Sequence, residues 1–387
     1  MPRLPIYLDY NATTPIDPAV RSAMQPFLDE HFGNPSSTHA YGRTAHDAVE
    51  QARAHAASLI HAQASEIVFT GGGSEASNHA IKGAVFARLK SIFARLWSRS
   101  AHIITTAIEH PATRKPCEFL ERIGVSVTVL PVDGTGRVDP DSVRRAVRKN
   151  TVLISIMHSN NEVGTLQPIA EIAAQARERG VLMHTDAAQS VGKVAIDVNS
   201  LGVDLLTIAG HKLYAPKGVG ALYVRRGVEI EPLIHGAGHE GGRRAGTENV
   251  PYVVGLGAAC TIAERSLPGA TDVLTKLRDR LEQRLRELLP DRLSLNGHPT
   301  MRLPNTLNVN FRGCIGAELL ARVPEVAAST GSACHEGTVH LSPVLCAMGV
   351  PPETGRGAVR LSVGRITTES DVDLAAEALA RGAGKSD

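Results

Sequence analysis

TVLISIMHSNNEVGTLQPIAEIAAQARERGVLMHTDAAQSVGK, residues 151–193, decides the fold. It holds two runs, TVLISIM (151–157) and VLMHTD (181–186), that are apolar on nearly every position, and between them an amphipathic stretch, Ile169 to Arg179. A strand apolar on both faces belongs inside a sheet covered by helices, and a parallel pair of strands needs a helical crossover between them. Working outward, runs of the same kind recur at EIVFT (66–70), HIITTA (102–107), VSVTVL (125–130), LLTIAG (205–210) and GALYVR (220–225). Helical patterns fall between them, at Glu75 to Leu89 and Pro140 to Arg148. This alternation predicts an α/β fold with a mainly parallel, seven-stranded sheet covered by helices.

After about residue 265 the texture changes. A charged helix is expected from Ala270 to Leu289, with Leu277, Leu281, Leu285 and Leu288 on one stripe, then strands TLNVNF (306–311) and VRLSVG (359–364), then a helix over 368–381. With 387 residues, a large domain over 16–264 and a smaller α+β domain made of 1–15 and 265–387 fit the length.

Composition excludes several partners. Lys and Arg total 41 against 39 Asp and Glu, a net charge of +2, which gives no footprint for nucleic acid or an anionic membrane. Aromatic residues at 4% are too few for base-stacking platforms. The five cysteines, at 117, 260, 314, 334 and 346, are odd in number, widely spaced and without CxxC, which argues for a reducing compartment. MPRLPIYLDYNATTP at the start has no apolar signal core, and Val250 to Ala263 is too short and too rich in Gly and Ala to span a bilayer. A cytoplasmic location is expected.

Three signals stand at strand ends. Thr70-Gly-Gly-Gly-Ser-Glu75 follows a strand and opens a helix, so it reads as an anion cradle or as a tight turn. His184-Thr-Asp-Ala-Ala-Gln189 puts Asp186 at the carboxyl end of a buried strand, as a ligand residue or a helix cap. Ala209-Gly-His-Lys212 places a lysine just past a strand, as a Schiff-base amine or a surface cation. Together they match the needs of pyridoxal phosphate: a helix start for the phosphate, a carboxylate for the ring nitrogen and a lysine for the aldehyde. A fourth signal is Ser329-Thr-Gly-Ser-Ala-Cys-His-Glu-Gly337, where Cys334 stands beside His335 in a Gly/Ser-rich stretch, a candidate nucleophile. The other four cysteines read as inert.

Nearly end to end the chain resembles the NifS/IscS-type cysteine desulfurases, fold-type I pyridoxal-phosphate enzymes. The resemblance is carried by YLDYNATTP (7–15), GNPSS (33–37), the glycine loop, IEHPAT (108–113), NNEVGTLQPI (160–169), HTDAAQSVGK (184–193), GHKLYAPKGVGALYVR (210–225), RRAGTENV (243–250), GSAC (331–334) and VRLSVGR (359–365). It implies an aminotransferase-like fold and a role for each matching residue. Lys212 would hold the cofactor as a Schiff base and shuttle the Cα proton. Asp186 would pair with the ring nitrogen, Gln189 with the phenolic oxygen, and His110 would stack on the ring. Gly73, Ser74 and His211 would hold the phosphate, with Thr247 reaching in from a partner subunit of a homodimer. Asn161 and Arg360 would grip the carboxylate of L-cysteine, with Asn34 nearby. Cys334 would take the sulfur as a persulfide, release L-alanine and pass the sulfur to an acceptor protein, as in iron–sulfur cluster assembly; the resemblance leaves the acceptor open.

Some residues depart from that pattern. Ala209 stands where housekeeping bacterial members carry a phosphate-binding Ser, and the tail after Val372 is short. CHEGTVHLSPVLCAMGVP (334–351) and RLPNT (302–306) resemble animal selenocysteine lyases, yet Pro111 replaces their acidic residue after the stacking His. A selenocysteine lyase and a non-catalytic sulfur-transfer scaffold are the alternatives. Phe86 to Arg99 reads as extra packing, with a docking patch as the alternative, and the histidines at 235, 239, 335 and 340 lack metal-site spacing.

Overall fold

The computed structural model describes residues 4–93, 101–330, 334–335, 338–339 and 341–384. The chain enters through a short strand, β1 (Ile6–Tyr7), and two helices, α1 (Pro18–Asp29) and α2 (Ala40–Leu59). The central sheet is built from β2 (Ile67–Thr70), β3 (His102–Thr106), β4 (Ser126–Leu130), β5 (Thr151–Ser155), β6 (Leu182–Asp186), β7 (Leu205–Ala209) and β8 (Gly220–Val224). Its order is β2-β8-β7-β6-β5-β3-β4. Only β8 runs against its neighbours, pairing antiparallel with both β2 and β7. The strands β2, β3, β5, β7 and β8 are buried along their whole length. At the edge, β4 leaves Val129 56% exposed.

Between strands run α3 (Gly73–Phe93), α4 (Pro111–Arg122), α5 (Pro140–Ala146), α6 (Ile169–Glu178) and α7 (Val198–Leu201). Phe86 and Leu89 of α3 pack into the core beneath the sheet. The remainder of the expected 86–99 packing segment reaches beyond the residues whose side chains are described.

The largest difference from the sequence expectation is α8 (Val250–Leu288), one helix of 39 residues where only its second half was legible. Its start holds Gly255 and Gly257, which lower helix propensity. Both are contact points. A Cβ on Gly255 would stand 2.7 Å from Met24 Sδ of α1, and one on Gly257 would stand 2.6 Å from Ala52 of α2. The first half of α8 joins the core under the large sheet through Leu256, Ala259, Cys260 and Ala263. The second half joins another core through Leu274, Leu277, Leu281 and Leu285. The helix therefore runs unbroken across the expected boundary at 264.

That second core lies on a three-stranded antiparallel sheet of β9 (Leu293–Asn296), β10 (Thr306–Phe311) and, after the segments below, β14 (Ala358–Ser362) in the order β14-β10-β9. Between β10 and β14 lie α9 (Gly316–Arg322), β11 (Val326–Ala327), the paired β12 (Cys334–His335) and β13 (Thr338–Val339), α10 (Pro343–Ala347) and α11 (Pro352–Gly355). The last helix, α12 (Glu369–Gly384), packs on α8. β1 pairs with β11, so the N-terminus belongs with this second sheet, and Leu8 is buried in its core.

Candidate active site

In open α/β sheets, ligands bind beyond the carboxyl ends of the strands, where loops converge. Here a cavity of about 670 Å³ opens at that edge. The loop after β2 contributes Gly73 and Ser74, the end of β3 leads to His110, and the loop after β5 brings Asn161. Asp186 and Gln189 come from the end of β6, and His211 and Lys212 follow β7. Arg360 enters from β14 of the second sheet. All nine were expected site residues, and the fold brings them to one wall-to-wall space.

The glycine loop is shaped for close approach. Gly72 holds φ +140°, a conformation that side chains rarely adopt, and α3 starts immediately after it. Asp186 is buried at the floor, and its Oδ1 accepts from Ala188 N–H at 2.9 Å, so it also caps the turn. Burial pushes its carboxyl pKa up, against the pull of Ala188 N–H, His110 and Lys212.

His110 caps α4, with Nδ1 accepting from Ala112 N–H at 3.1 Å and Pro111 opening the first turn. That contact makes Nδ1 the acceptor and leaves the ring proton on Nε2. Burial keeps the imidazole neutral by lowering its pKa, although Asp186 pulls the other way. Glu109, next in sequence, is buried and anchors this segment: Thr106 Oγ1 donates to it at 2.6 Å and Met157 N–H at 3.1 Å. Burial raises its pKa to about 8.

Lys212 Nζ donates to the carbonyl of Ala12 at 2.7 Å and to that of Asn11. Burial and then the positive Arg360 lower its pKa to about 8, against Asp9 and Asp186. A lysine so placed is a far better nucleophile near neutral pH than a surface one. Arg360 pairs with Asp9 Oδ1 at 2.7 Å and donates to Asn161 O at 3.1 Å. Its Nε is buried with no hydrogen-bond partner.

Two expected residues, Asn34 and Thr247, are not brought to the cavity within one chain. Asn34 is exposed, and its Oδ1 accepts from Ser36 N–H at 2.9 Å in a turn before α2. Thr247 is exposed in the segment before α8. The backbone of Cys334 lies in β12, and the placement of its side chain is outside the described residues. The segment leading to it is fastened at the cavity, because Ser329 exchanges backbone hydrogen bonds with Arg360 at 2.7 and 3.3 Å. The fully extended reach from Ser329 to Cys334 is about 17 Å. Of the other cysteines, Cys117, Cys260 and Cys314 are buried, and burial raises Cys117 and Cys260 to about 12, which leaves them as thiols. Among the described residues, no three His, Cys, Asp or Glu side chains cluster to hold a metal ion.

Sequence reasoning gave no role to Asn11, Thr13 or Ser159, which also line the cavity, or to Asp9. YLDYNATTP was visible as a motif, but it precedes the large sheet and starts at the end of a strand of only two residues, too short to leave a pattern, so its position carried no signal. His184 was quoted only as a neighbour of Asp186. It is wholly buried, with Ser155 Oγ at 2.8 Å and Thr207 Oγ1 at 3.0 Å on its two nitrogens, and burial lowers its pKa to about 3.

The residues present fit pyridoxal phosphate. A helix start with an open glycine turn, a buried carboxylate, a desolvated lysine and a neutral imidazole share one cavity large enough for a ring and its substituents. Comparison with known proteins agrees. The aminotransferase class-V family profile matches residues 6–374. A cysteine desulfurase IscS of Dictyoglomus turgidum is 46% identical over 97% of this chain and 94% of its own length. A solved NifS-like protein superposes with a TM-score of 0.88 at 36% identity, covering 98% of this chain and 99% of its own. SspA, solved in complex with cysteine, superposes with a TM-score of 0.80 at 39% identity, covering 92% of this chain and 98% of its own. The chain belongs to the class-V aminotransferase family, among the cysteine desulfurases of the NifS and IscS type.

Proposed function

We propose that this chain is a pyridoxal-phosphate-dependent cysteine desulfurase that converts L-cysteine to L-alanine and holds the released sulfur as a persulfide on Cys334. The observation that carries the reading is the convergence of Ser74, His110, Asp186, Lys212 and Arg360 on one cavity. When bound, pyridoxal phosphate supplies the electron sink that makes the substrate Cα–H acidic.

The chain's residues have the following roles. Gly73, Ser74 and His211 hold the phosphate; Ala209 offers no hydroxyl there. Asp186 keeps a proton on the ring nitrogen, and a cation at that point favours its ionised form against burial. Lys212 Nζ takes the proton from Cα and returns it to carbon. Arg360, with a free Nε donor, and Asn161 bind the substrate carboxylate. Cys334 attacks as a thiolate. Its Sγ forms a bond to the substrate sulfur, the Cβ–S bond breaks, and the electron pair stays with Cβ, which gains a proton to become the methyl of alanine.

The large sheet serves as the cofactor half, and the second sheet with 1–15 serves as the half carrying Cys334. The working form is a cytoplasmic homodimer in which Thr247 contacts the partner's phosphate. Phe32, 75% exposed and stacked on the exposed Tyr41, supplies apolar surface for such a contact. The acceptor is a protein of sulfur transfer or iron–sulfur assembly. The loop resemblance to selenocysteine lyases finds no support in the relatives reported above, a cysteine desulfurase and a NifS-like protein among them.

The test uses purified protein with L-cysteine, once with a thiol reductant to release the sulfur as sulfide and once without it to keep the persulfide. The reading expects a yellow protein, equal amounts of alanine and sulfide, and one added sulfur on the peptide holding Cys334. Sulfur on Cys117, Cys260, Cys314 or Cys346 instead, or no alanine at all, overturns it.

A further inference from the structure

Lys193 lies just outside the cavity and has no role in the account above. It is 6% exposed, and no carboxylate offsets its charge among the described residues; the charges bearing on it are the positive Lys212 and Arg360. A buried ammonium without a counter-ion is costly. The backbone nevertheless directs it inward. Gly192 holds φ +75°, and a Cβ there would stand 2.1 Å from Leu213 Cδ1, so the turn that aims Lys193 inward is reserved for glycine.

What Lys193 meets is two amide oxygens. Its Nζ donates to Gln189 Oε1 at 2.9 Å and to Asn11 Oδ1 at 3.4 Å. An amide side chain can present its oxygen or its NH₂ in a given direction, and an ammonium only donates. Both oxygens must therefore face Lys193, and both NH₂ groups must face away. Gln189 Nε2 accordingly donates to Asn11 O at 2.9 Å, which occupies one of its two N–H bonds. Asn11 Nδ2 donates to Thr306 Oγ1 at 2.8 Å and Asn161 O at 3.2 Å. Burial lowers the Lys193 pKa to about 7, and the neutral amine still keeps two N–H donors.

We propose that Lys193 is a positioning residue that locks the amide of Gln189 so that its second N–H is presented to the phenolic oxygen of the cofactor. The inference rests on the cofactor reading above and deepens it. Flipping the amide would set Oε1 against both the Asn11 carbonyl and that anionic oxygen. Removing Lys193 leaves Asn11 O, among the described residues, to oppose the flip.

The experiment is a titration of the cofactor-free protein with pyridoxal phosphate, read by visible absorbance, with thermal melting followed in parallel. Lys193→Met keeps the length of the side chain and removes the donor. It should bind the cofactor about tenfold more weakly, as expected for a lost hydrogen bond to a charged group. Gln189→Ala should weaken binding by a similar factor. The double variant should bind no more than about twofold more weakly than Gln189→Ala alone, because residues acting through one contact are non-additive. If Lys193→Met does not fold, Lys193→Gln carries the same test, since its amide can face Gln189 with either end. Wild-type affinity in the Lys193 variant overturns the inference, and so do fully additive losses. The readout is cofactor binding, so its failure is distinct from a wild type that makes no alanine, which would strike the desulfurase reading.

Discussion

Lys212 and Arg360 are linked by charge, and the link sets a pH at which the lysine becomes reactive. The Lys212 pKa is lowered from the ordinary 10.5 to about 8, with Arg360 the second cause after burial. The rate at which cofactor-free protein captures pyridoxal phosphate should therefore rise through about pH 8, where the amine loses its proton. Arg360→Met removes a positive neighbour, makes the ammonium easier to hold, and should move that midpoint to higher pH. A stopped-flow pH series on both proteins measures it; an unmoved midpoint would show that burial alone sets the pKa. The same shift bears on stability. Between about pH 8 and 10.5 the unfolded chain keeps a proton on Lys212 that the folded chain has shed, so this group's contribution to stability rises with pH across that window.

Among the elements, the short turn His239–Gly242 is held by one buried pair. Arg53 of α2 reaches Glu240 through two hydrogen bonds, at 2.6 and 3.0 Å, and Glu240 also accepts from Phe69 N–H of β2 at 2.9 Å. Glu240 sits at φ +54°, which a non-glycine residue adopts only when its surroundings impose it. Arg53→Met should lower stability by about 3 kcal/mol, because it strips both guanidinium hydrogen bonds from a buried carboxylate and leaves it to the charges of Arg243 and Arg244. Urea unfolding checks this, and a loss below about 1 kcal/mol would mean that water reaches the pair. No sequence pattern announced it, since the partners lie 187 residues apart. The sheet strands were legible to within about two residues because both-face burial leaves an unbroken apolar run. The first half of α8 was not, because Gly255 and Gly257 read as helix breakers until the helices they touch are known.

For the whole molecule, the same division holds in the site. Asp186, Lys212 and the glycine loop were legible because a strand end is a position that sequence can mark, whereas His110 was named through the resemblance alone. Asp9 and Asn11 were not, because their partners come from remote parts of the chain: Arg360 is 351 residues from Asp9. Self-association was inferred from resemblance, and the exposed Phe32–Tyr41 pair gives it a physical test. Sedimentation should show a dimer for the wild type and a monomer at the same concentration for the double variant Phe32→Asp, Tyr41→Asp; an unchanged dimer would place the interface elsewhere. One contact reaches further. Asn11, whose carbonyl seats Lys212 Nζ, donates its own backbone N–H to Ser362 Oγ at 3.0 Å. The seat of the reactive amine is thus assembled from opposite ends of the polypeptide. A nascent chain on the ribosome carries the glycine loop, Asp186 and Lys212 well before Ser362 has been made, and in that interval Asn11 lacks this backbone bond. Ser362 and the cavity residue Arg360 lie on the same late strand, so the wall of the site that they build is the last to be synthesised.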